Sequence, residues 1–435
     1  MSKDDKTTKP KPHLRFPQFR NAAGWNVKRL GTRGAFLSSL TGKSAADFDT
    51  GDARFIPYMN VFSNTFTDLH DLRAVDVGEG ETQNAVARGD VFFTVSSETP
   101  EDAGMSSVLL GDIEDCYLNS FCALFRFHEG RSPDPVFLGY ALRSGVVRKH
   151  LARSAQGATR YNISKGVFRD VPLLLPEPAE QRKIAECLGS LDDWIAAETE
   201  ALAALRRHKT GLMQQLFPRP GESRPRLRFP EFRDTRQWQP KSIDELASFK
   251  SGGTPSKSNP AYWGGSIPWV SAKDMKKLRL QDSEDHITQL AVDEGARLVP
   301  AGTLLMLTRG MTLMKDVPIC LLQRPMTFNQ DIKALTPRKG TRGEFLAYLL
   351  IANKPNLRAL VDIAGHGTGR LDTDEVKQLR LSAPGPAEQE RIADCLVSLD
   401  ALITAHADKL VALHDHKRGL MQQLFPTPDA ADGGG

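Results

Sequence analysis

Cysteine is scarce: five residues in 435, at positions 116, 122, 187, 320 and 395, and no two of them form a CxxC pair. Neither a zinc ribbon nor a disulfide framework is indicated. The ten histidines show no metal-ligand spacing either, so no metal-binding residue is assigned. Long apolar runs are missing. No stretch of about 18 residues could serve as a transmembrane helix, and no signal-peptide pattern opens the chain, so no membrane partner is expected. With so few cysteines, a cytoplasmic location is the expectation. Charge of one sign is not in large excess. The 57 Lys and Arg residues against 53 Asp and Glu leave a net +4. Bulk charge does not mark a nucleic-acid binder, and any such role must rest on local patches.

Catalytic motifs are missing too. "TGKS" at Thr41 lacks the upstream glycine of a phosphate-binding loop, because position 37 is Leu. "NPAY" at Asn259 lacks the second proline of the amino-methyltransferase motif, and no Gly-rich cofactor loop accompanies it. "DEVK" at Asp374 could be half of a nuclease carboxylate–lysine motif, but the sequence places no partner acid. No catalytic residue is assigned, and no cofactor is expected on this chain.

What the chain has is a repeat. "HKTGLMQQLFP" ends at Pro218 and "HKRGLMQQLFP" at Pro426, a shift of 208. "LRFPQFR" at Leu14 recurs as "LRFPEFR" at Leu227, a shift of 213 that also relates Trp25 to Trp238. From Ala179 to Pro218, against Ala387 to Pro426, 25 of 40 positions are identical. Each half therefore has an anchor motif, a divergent domain and a near-identical C-terminal segment. The predicted boundaries are a tail at 1–12, a first domain at 13–177, a first helix at 178–218, a second domain at 219–384, a second helix at 385–426 and a tail at 427–435. Both tails are read as disordered.

The near-identical segments carry heptad spacing. Ile184, Leu188, Leu191, Ile195, Leu202 and Leu205 form the seam of the first, and Ile392, Leu396, Leu399, Ile403, Leu410 and Leu413 that of the second. Pro178 and Pro386 with Glu180 and Glu388 suit helix starts, and Pro218 and Pro426 suit stops. An isolated helix would expose such a seam. Two equivalent half-copies suggest a closed two-fold arrangement, so the helices are expected to pair antiparallel. The competing reading is that each helix covers only its own domain.

The divergent domains hold basic, polar stretches. From Lys250 to Leu280 there are six Lys or Arg residues, one Asp and three large aromatics, Tyr262, Trp263 and Trp269. "LTRGMT" at Leu307, "FNQDIKAL" at Phe328 and "GHGTGRLDTDEVK" at Gly365 follow. Arg143 to Arg169 in the first half contains seven Lys or Arg residues and no acid, including "SAQGATRYNISK". Such chemistry suits phosphate contacts and base-edge reading. The bland alternative is a set of solvated loops. The predicted base readers are Lys257, Ser271, Lys273, Arg309 and Arg370 in the second domain, with Arg160, Asn162 and Lys165 in the first. "IPYMNV" at Ile56 and "IPWVSA" at Ile267 read as buried strands, with Tyr58 and Trp269 as core candidates.

The paired "LRFP", "SGGTPS…YWGGSIPWVSAKD", "FNQDI", the paired "PAEQ" helix starts and the paired "LMQQLF" ends together resemble the specificity subunit of a type I restriction–modification enzyme. The resemblance runs from Leu14 to Pro426, although the first half keeps the IP-aromatic while lacking the Gly-Gly-Thr-Pro opening. It implies an α+β fold: two mixed α/β target-recognition domains separated by two long antiparallel coiled-coil helices, related by a pseudo-two-fold internal repeat. Each domain would read half of a split double-stranded DNA target, and the helices would hold two methyltransferase subunits, with motor-nuclease subunits joining for cleavage. S-adenosylmethionine, ATP and Mg2+ are expected on those partner subunits. Gly211 and Gly419 inside helices cost up to about 1 kcal/mol each. Close approach of a partner would explain them, so Gly211, Met213, Gln214, Gly419, Met421 and Gln422 are docking candidates. A non-catalytic scaffold that binds proteins with its two domains is the alternative.

Overall fold

The computed structural model describes residues 9–219, 222–364 and 367–426. The chain divides into two compact units, one running up to Thr199 and resuming at Lys409, the other spanning Glu200–Asp408. Each unit holds one divergent domain and parts of both long helices. Those helices run Pro178–Leu216 and Pro386–Leu424, 39 residues each, or about 58 Å at 1.5 Å per residue.

The first unit is built on a four-stranded sheet in the order Gly34–Leu37, Cys122–Phe127, Val91–Thr94, Ser106–Val108. The second unit repeats it with five strands, Ala247–Ser251, Ile332–Pro337, Leu304–Leu307, Ile319–Leu322 and Arg279–Leu280. The strand runs "VFFT" and "LLML" are buried throughout, so both faces of each sheet are covered. A smaller three-stranded sheet accompanies each, centred on Phe48–Ile56 and on Trp263–Val270. Trp269 is buried as expected, at 6% exposure. Tyr58 is not: the strand stops at Ile56, Pro57 caps a short helix at Tyr58–Ser63, and Tyr58 is only half-buried. Proline, with φ fixed near −65° and no N–H, starts a helix more readily than it continues a strand.

The anchor motif and the helix start are two ends of one ion pair. Arg15 donates to both carboxylate oxygens of Glu180, at 2.7 and 2.6 Å, and to the carbonyls of Ala22 and Ala23. In the second unit Arg228 does the same to Glu388, at 2.8 and 2.6 Å, with both side chains at most 5% exposed. The glutamine that follows pins the incoming chain. Gln181 donates to the Pro176 carbonyl and accepts from the Asp134 N–H; Gln389 donates to Pro384 and accepts from Arg342. "LRFP" and "PAEQ" are thus the two halves of a joint.

The repeated "LF" ends are core residues. Leu424 and Phe425 are buried in the first unit, where Phe425 packs on Trp25 and Phe137 with ring centroids 5.8 and 5.7 Å apart. Leu216 and Phe217 are buried in the second, against Trp238 and Phe345. Within each unit the helix segments run antiparallel. In the first, Asp192 meets Lys417 and Glu198 meets Lys409, so one number rises as the other falls. In the second, Lys209 meets Asp400, and Leu216 shares a core with Ile392 and Leu396.

The seam has two functions. Ile184, Leu188, Ile392 and Leu396 belong to the domain cores, so the first turns of each helix do cover their own domain. Further along, Leu191, Leu202, Leu399 and Leu413 are buried, and Ile195, Leu205, Ile403 and Leu410 are half-buried. Of the predicted tails, residues 1–8 and 427–435 lie outside the described residues. Residues 9–12 correct the tail reading. Pro10 is buried, and its carbonyl accepts from the Trp25 N–H at 2.8 Å.

Candidate nucleic-acid interface

In the second unit, the loop after Ser251 crosses the ends of two strands. A side chain on Gly252 would sit 2.3 Å from the carbonyl oxygens of both Phe328 and Asn329, so only glycine permits the crossing. Trp269 donates its indole N–H to the Gly253 carbonyl and Trp263 donates to Ser256, while the two indoles meet edge-to-face at 5.2 Å. "SGGTPS", "YWGGSIPW" and "FNQ" therefore form one scaffold, which holds the exposed Lys257 outward.

Two other predicted readers in this unit have local partners. Ser271 and Asp274 form a capping box, the hydroxyl donating to the carboxylate at 3.0 Å. Lys273 lies 2.7 Å from Glu284 and 3.0 Å from Asp285, and its pKa is raised by those carboxylates, Glu284 first. Both side chains are engaged with partners inside the unit.

Arg309 and Arg370 are different. They stand directly opposite each other on antiparallel strands, Arg309–Gly310 against Thr368–Leu371, and both are exposed. Among the described residues no hydrogen bond or ion pair is recorded for the Arg309 side chain, and Arg370 has one looser contact, 3.6 Å to Asp372. Like charges directly opposite destabilise a strand pair, while Asp362 on the strand Val361–Ala364 faces Arg370 from its other side. Beside them Met311 is 77% and Ile363 66% exposed. Part of the "GHGTGR" motif, Gly365 and His366, lies outside the described residues.

In the first unit, Arg160, Asn162 and Lys165 are exposed along a loop, a two-stranded pairing of Tyr161–Asn162 with Ser96–Ser97, and the helix start that follows. Arg160 lines a cavity of about 360 Å³ shared with Tyr58, Phe62 and Phe121. The basic run 143–169 needs correcting. Arg143 donates to the carbonyls of Ser106, Val61, Phe62 and Asn64, and Arg148 to those of Gly104, Glu101 and Ala103. Burial lowers the pKa of both, that of Arg143 to about 10. These two arginines tie loops together and are not surface charge.

Of the docking candidates, Gln214 and Gln422 are exposed, while Met213 and Met421 pack against the cores. A side chain at Gly211 or Gly419 would touch nothing within 4 Å of its Cβ in this chain. Internal packing therefore does not require glycine there.

Two side-chain clusters went unread in the sequence. Tyr140 donates to Asp192 at 2.6 Å, and Lys417 reaches the other carboxylate oxygen at 2.5 Å, with its ammonium 5.3 Å from the Tyr140 ring. Tyr348, Asp400 and Lys209 repeat this at 2.6, 2.5 and 5.5 Å. The only sequence signal was that Tyr, Asp and Lys all recur at the shift of 208. Among the described residues no cluster of metal-ligating side chains is present. Among the described residues no helix is long and apolar enough to cross a membrane.

Residues 235–414 match the family "Type I restriction modification DNA specificity domain". The chain is 30% identical over 197 residues to the Type I restriction enzyme EcoR124I/EcoR124II specificity subunit of Escherichia coli, covering 43% of this chain and 49% of that one. It is 32% identical over 184 residues to the MjaIX specificity subunit of Methanocaldococcus jannaschii, covering 40% and 41%. The matches thus span about half the length of these relatives or less. The fold is shared with the crystal structure of a type I restriction–modification S subunit from M. genitalium, with TM-score 0.58, 14% identity and coverage of 96% of this chain and 99% of that one.

Proposed function

We propose that this chain, whose residues 235–414 match the DNA specificity domain of type I restriction–modification systems, is the sequence-reading, non-catalytic subunit of such a complex. Each domain reads one half of a split duplex target, and the lengths of the two long helices set the gap between the halves. The observation that carries this reading is the exposed Arg309–Arg370 pair, two like charges held opposite each other on one small sheet. Asp362 faces Arg370 from the other side and offsets part of that charge, and a polyanion in contact with the sheet would offset the rest.

The unlike readers of the two domains support an asymmetric, bipartite target. Gly211 and Gly419, which internal packing does not require, support docking of two methyltransferase subunits on equivalent helix surfaces. S-adenosylmethionine, ATP and Mg2+ then belong to the partner subunits.

Duplex binding measured against salt tests the reading. Phosphate contacts make log K fall linearly with log salt, by about 0.9 per neutralised phosphate. A steep slope is expected, and replacing Arg309 and Arg370 by Gln should weaken duplex binding. A scaffold whose domains bind proteins would show no appreciable duplex affinity.

A further inference from the structure

The two domains differ most informatively at one matched position. Strand Val91–Thr94 of the first unit and Leu304–Leu307 of the second are the same element, offset by 213. Each is followed, one residue on, by a two-residue strand, Ser96–Ser97 or Arg309–Gly310. Each short strand pairs antiparallel with the strand that leads into a short helix. Those helices, Lys165–Arg169 and Thr373–Gln378, are offset by 208 at their starts and capped by Ser164 and Asp372. The register then decides the comparison. Ser96 faces Asn162, and Arg309 faces Arg370. The offsets are 309 − 96 = 213 and 370 − 162 = 208, the same two shifts that relate the anchor motifs and the helices.

One backbone frame thus presents a Ser–Asn couple in one domain and an Arg–Arg couple in the other, with Gln156 opposite Asn162 on its other side and Asp362 opposite Arg370. Asn162, Arg309 and Arg370 are exposed and Ser96 is half-buried, and none of the four is a core residue. Their internal ties are loose. The Asn162 amide reaches the Arg160 carbonyl at 3.4 Å, and Arg370 reaches Asp372 at 3.6 Å. A frame repeated in both domains with different, lightly tied polar pairs has the form of a reading position. Resting on the DNA-binding reading above, we propose that this cross-strand couple is the specificity-determining pair of each domain. Asn162 with Ser96 selects an A·T pair in the first half-site. Arg309 with Arg370 selects a G·C pair in the second. The chemistry is bidentate: an amide matches the N6–H and N7 of adenine, and a guanidinium matches the O6 and N7 of guanine.

The test is selection of a random duplex library with the purified full-length chain, followed by sequencing of the bound pool. Wild type is compared with Asn162→Arg, Asn162→Ala and Arg370→Lys. The proposal expects Asn162→Arg to move one position of the first half-site from A·T to G·C, with the second half-site unchanged. Asn162→Ala should lose the preference at that same position. Arg370→Lys keeps the charge but loses the fork, so preference at one G·C pair of the second half-site should fall by roughly 5–150-fold. If the variants enrich the wild-type motif with only weaker binding, the couple contacts backbone and the proposal is overturned, while DNA binding stands. If wild type enriches no sequence at all, the DNA-binding reading fails and the proposal with it.

Discussion

Replacing Arg228 by Met removes one side of a deeply enclosed ion pair in the second unit. Arg228 and Glu388 are 4% and 5% exposed, and the contact is bidentate. Removing one partner of a buried pair costs about 3–5 kcal/mol, because the other charge stays buried without compensation. Here the orphan is Glu388, in the first turn of the helix Pro386–Leu424. The helix dipole favours a carboxylate there by up to about 2 kcal/mol in partly buried sites. The lost contacts to Thr235 and Arg236 push the other way. The expected cost is therefore near the lower end, about 3 kcal/mol. Hydrogen exchange resolves it locally. Amides near 227–246 and 386–396 that open with the joint should lose protection by roughly 100-fold or more. The matching joint at Arg15 and Glu180 in the first unit should be unchanged, which makes it an internal control. A double variant with Glu388→Gln should be less destabilised than the sum of the two single changes. Protection in these segments changing by less than about threefold would refute the reasoning.

Other outcomes follow from the same geometry. Gly252→Ala places a Cβ against two backbone carbonyls that cannot yield, an overpacking cost of about 1–3 kcal/mol. The melting temperature of the second unit should drop by roughly 2–12 °C, read by differential scanning calorimetry; an unchanged melt would mean the loop can move aside. Burial raises the thiol pKa of Cys116 to about 11 and of Cys122 and Cys320 to about 12. Iodoacetamide at pH 8 should therefore label Cys187 and Cys395 first and the other three only after unfolding, as peptide mapping would report. Inserting four residues near Ala197 lengthens that helix by roughly 6 Å. The gap between half-sites should grow by one to two base pairs at about 3.4 Å each, with the bases read unchanged. An unchanged gap with full activity would show that something else measures the distance.

The repeat and the long helices were legible because they depend on local pattern, heptad spacing and prolines at both helix ends, whereas the mixed α/β domains came only from the family resemblance. The joint was half-legible. "LRFP" and "PAEQ" stood out as repeats, but pairing Arg15 with Glu180 needs the fold, because the residues are 165 apart in sequence. Charge was the least legible property. Arg143 and Arg148 count as basic in sequence yet donate inward to carbonyls, and nothing in a one-dimensional run distinguishes the two fates. Ser271 could have been read better, since the Ser-x-x-Asp spacing to Asp274 is a capping signature. Tyr58 was assigned to a strand because "IPY" and "IPW" look alike, and the proline that ends one strand sits inside the other. The Ser96–Asn162 couple was unreadable because strand register joins positions far apart in the chain.

Two unlike readers on one repeated frame should recognise a split target. Mapping methylated bases across the genome of a host that co-expresses this chain with the methyltransferase proposed as its partner tests this directly. The predicted motif has two different half-sites with a non-specific gap of roughly 5–8 base pairs, given half-site centres about one DNA turn apart. A palindromic motif, or a continuous one without a gap, would contradict it.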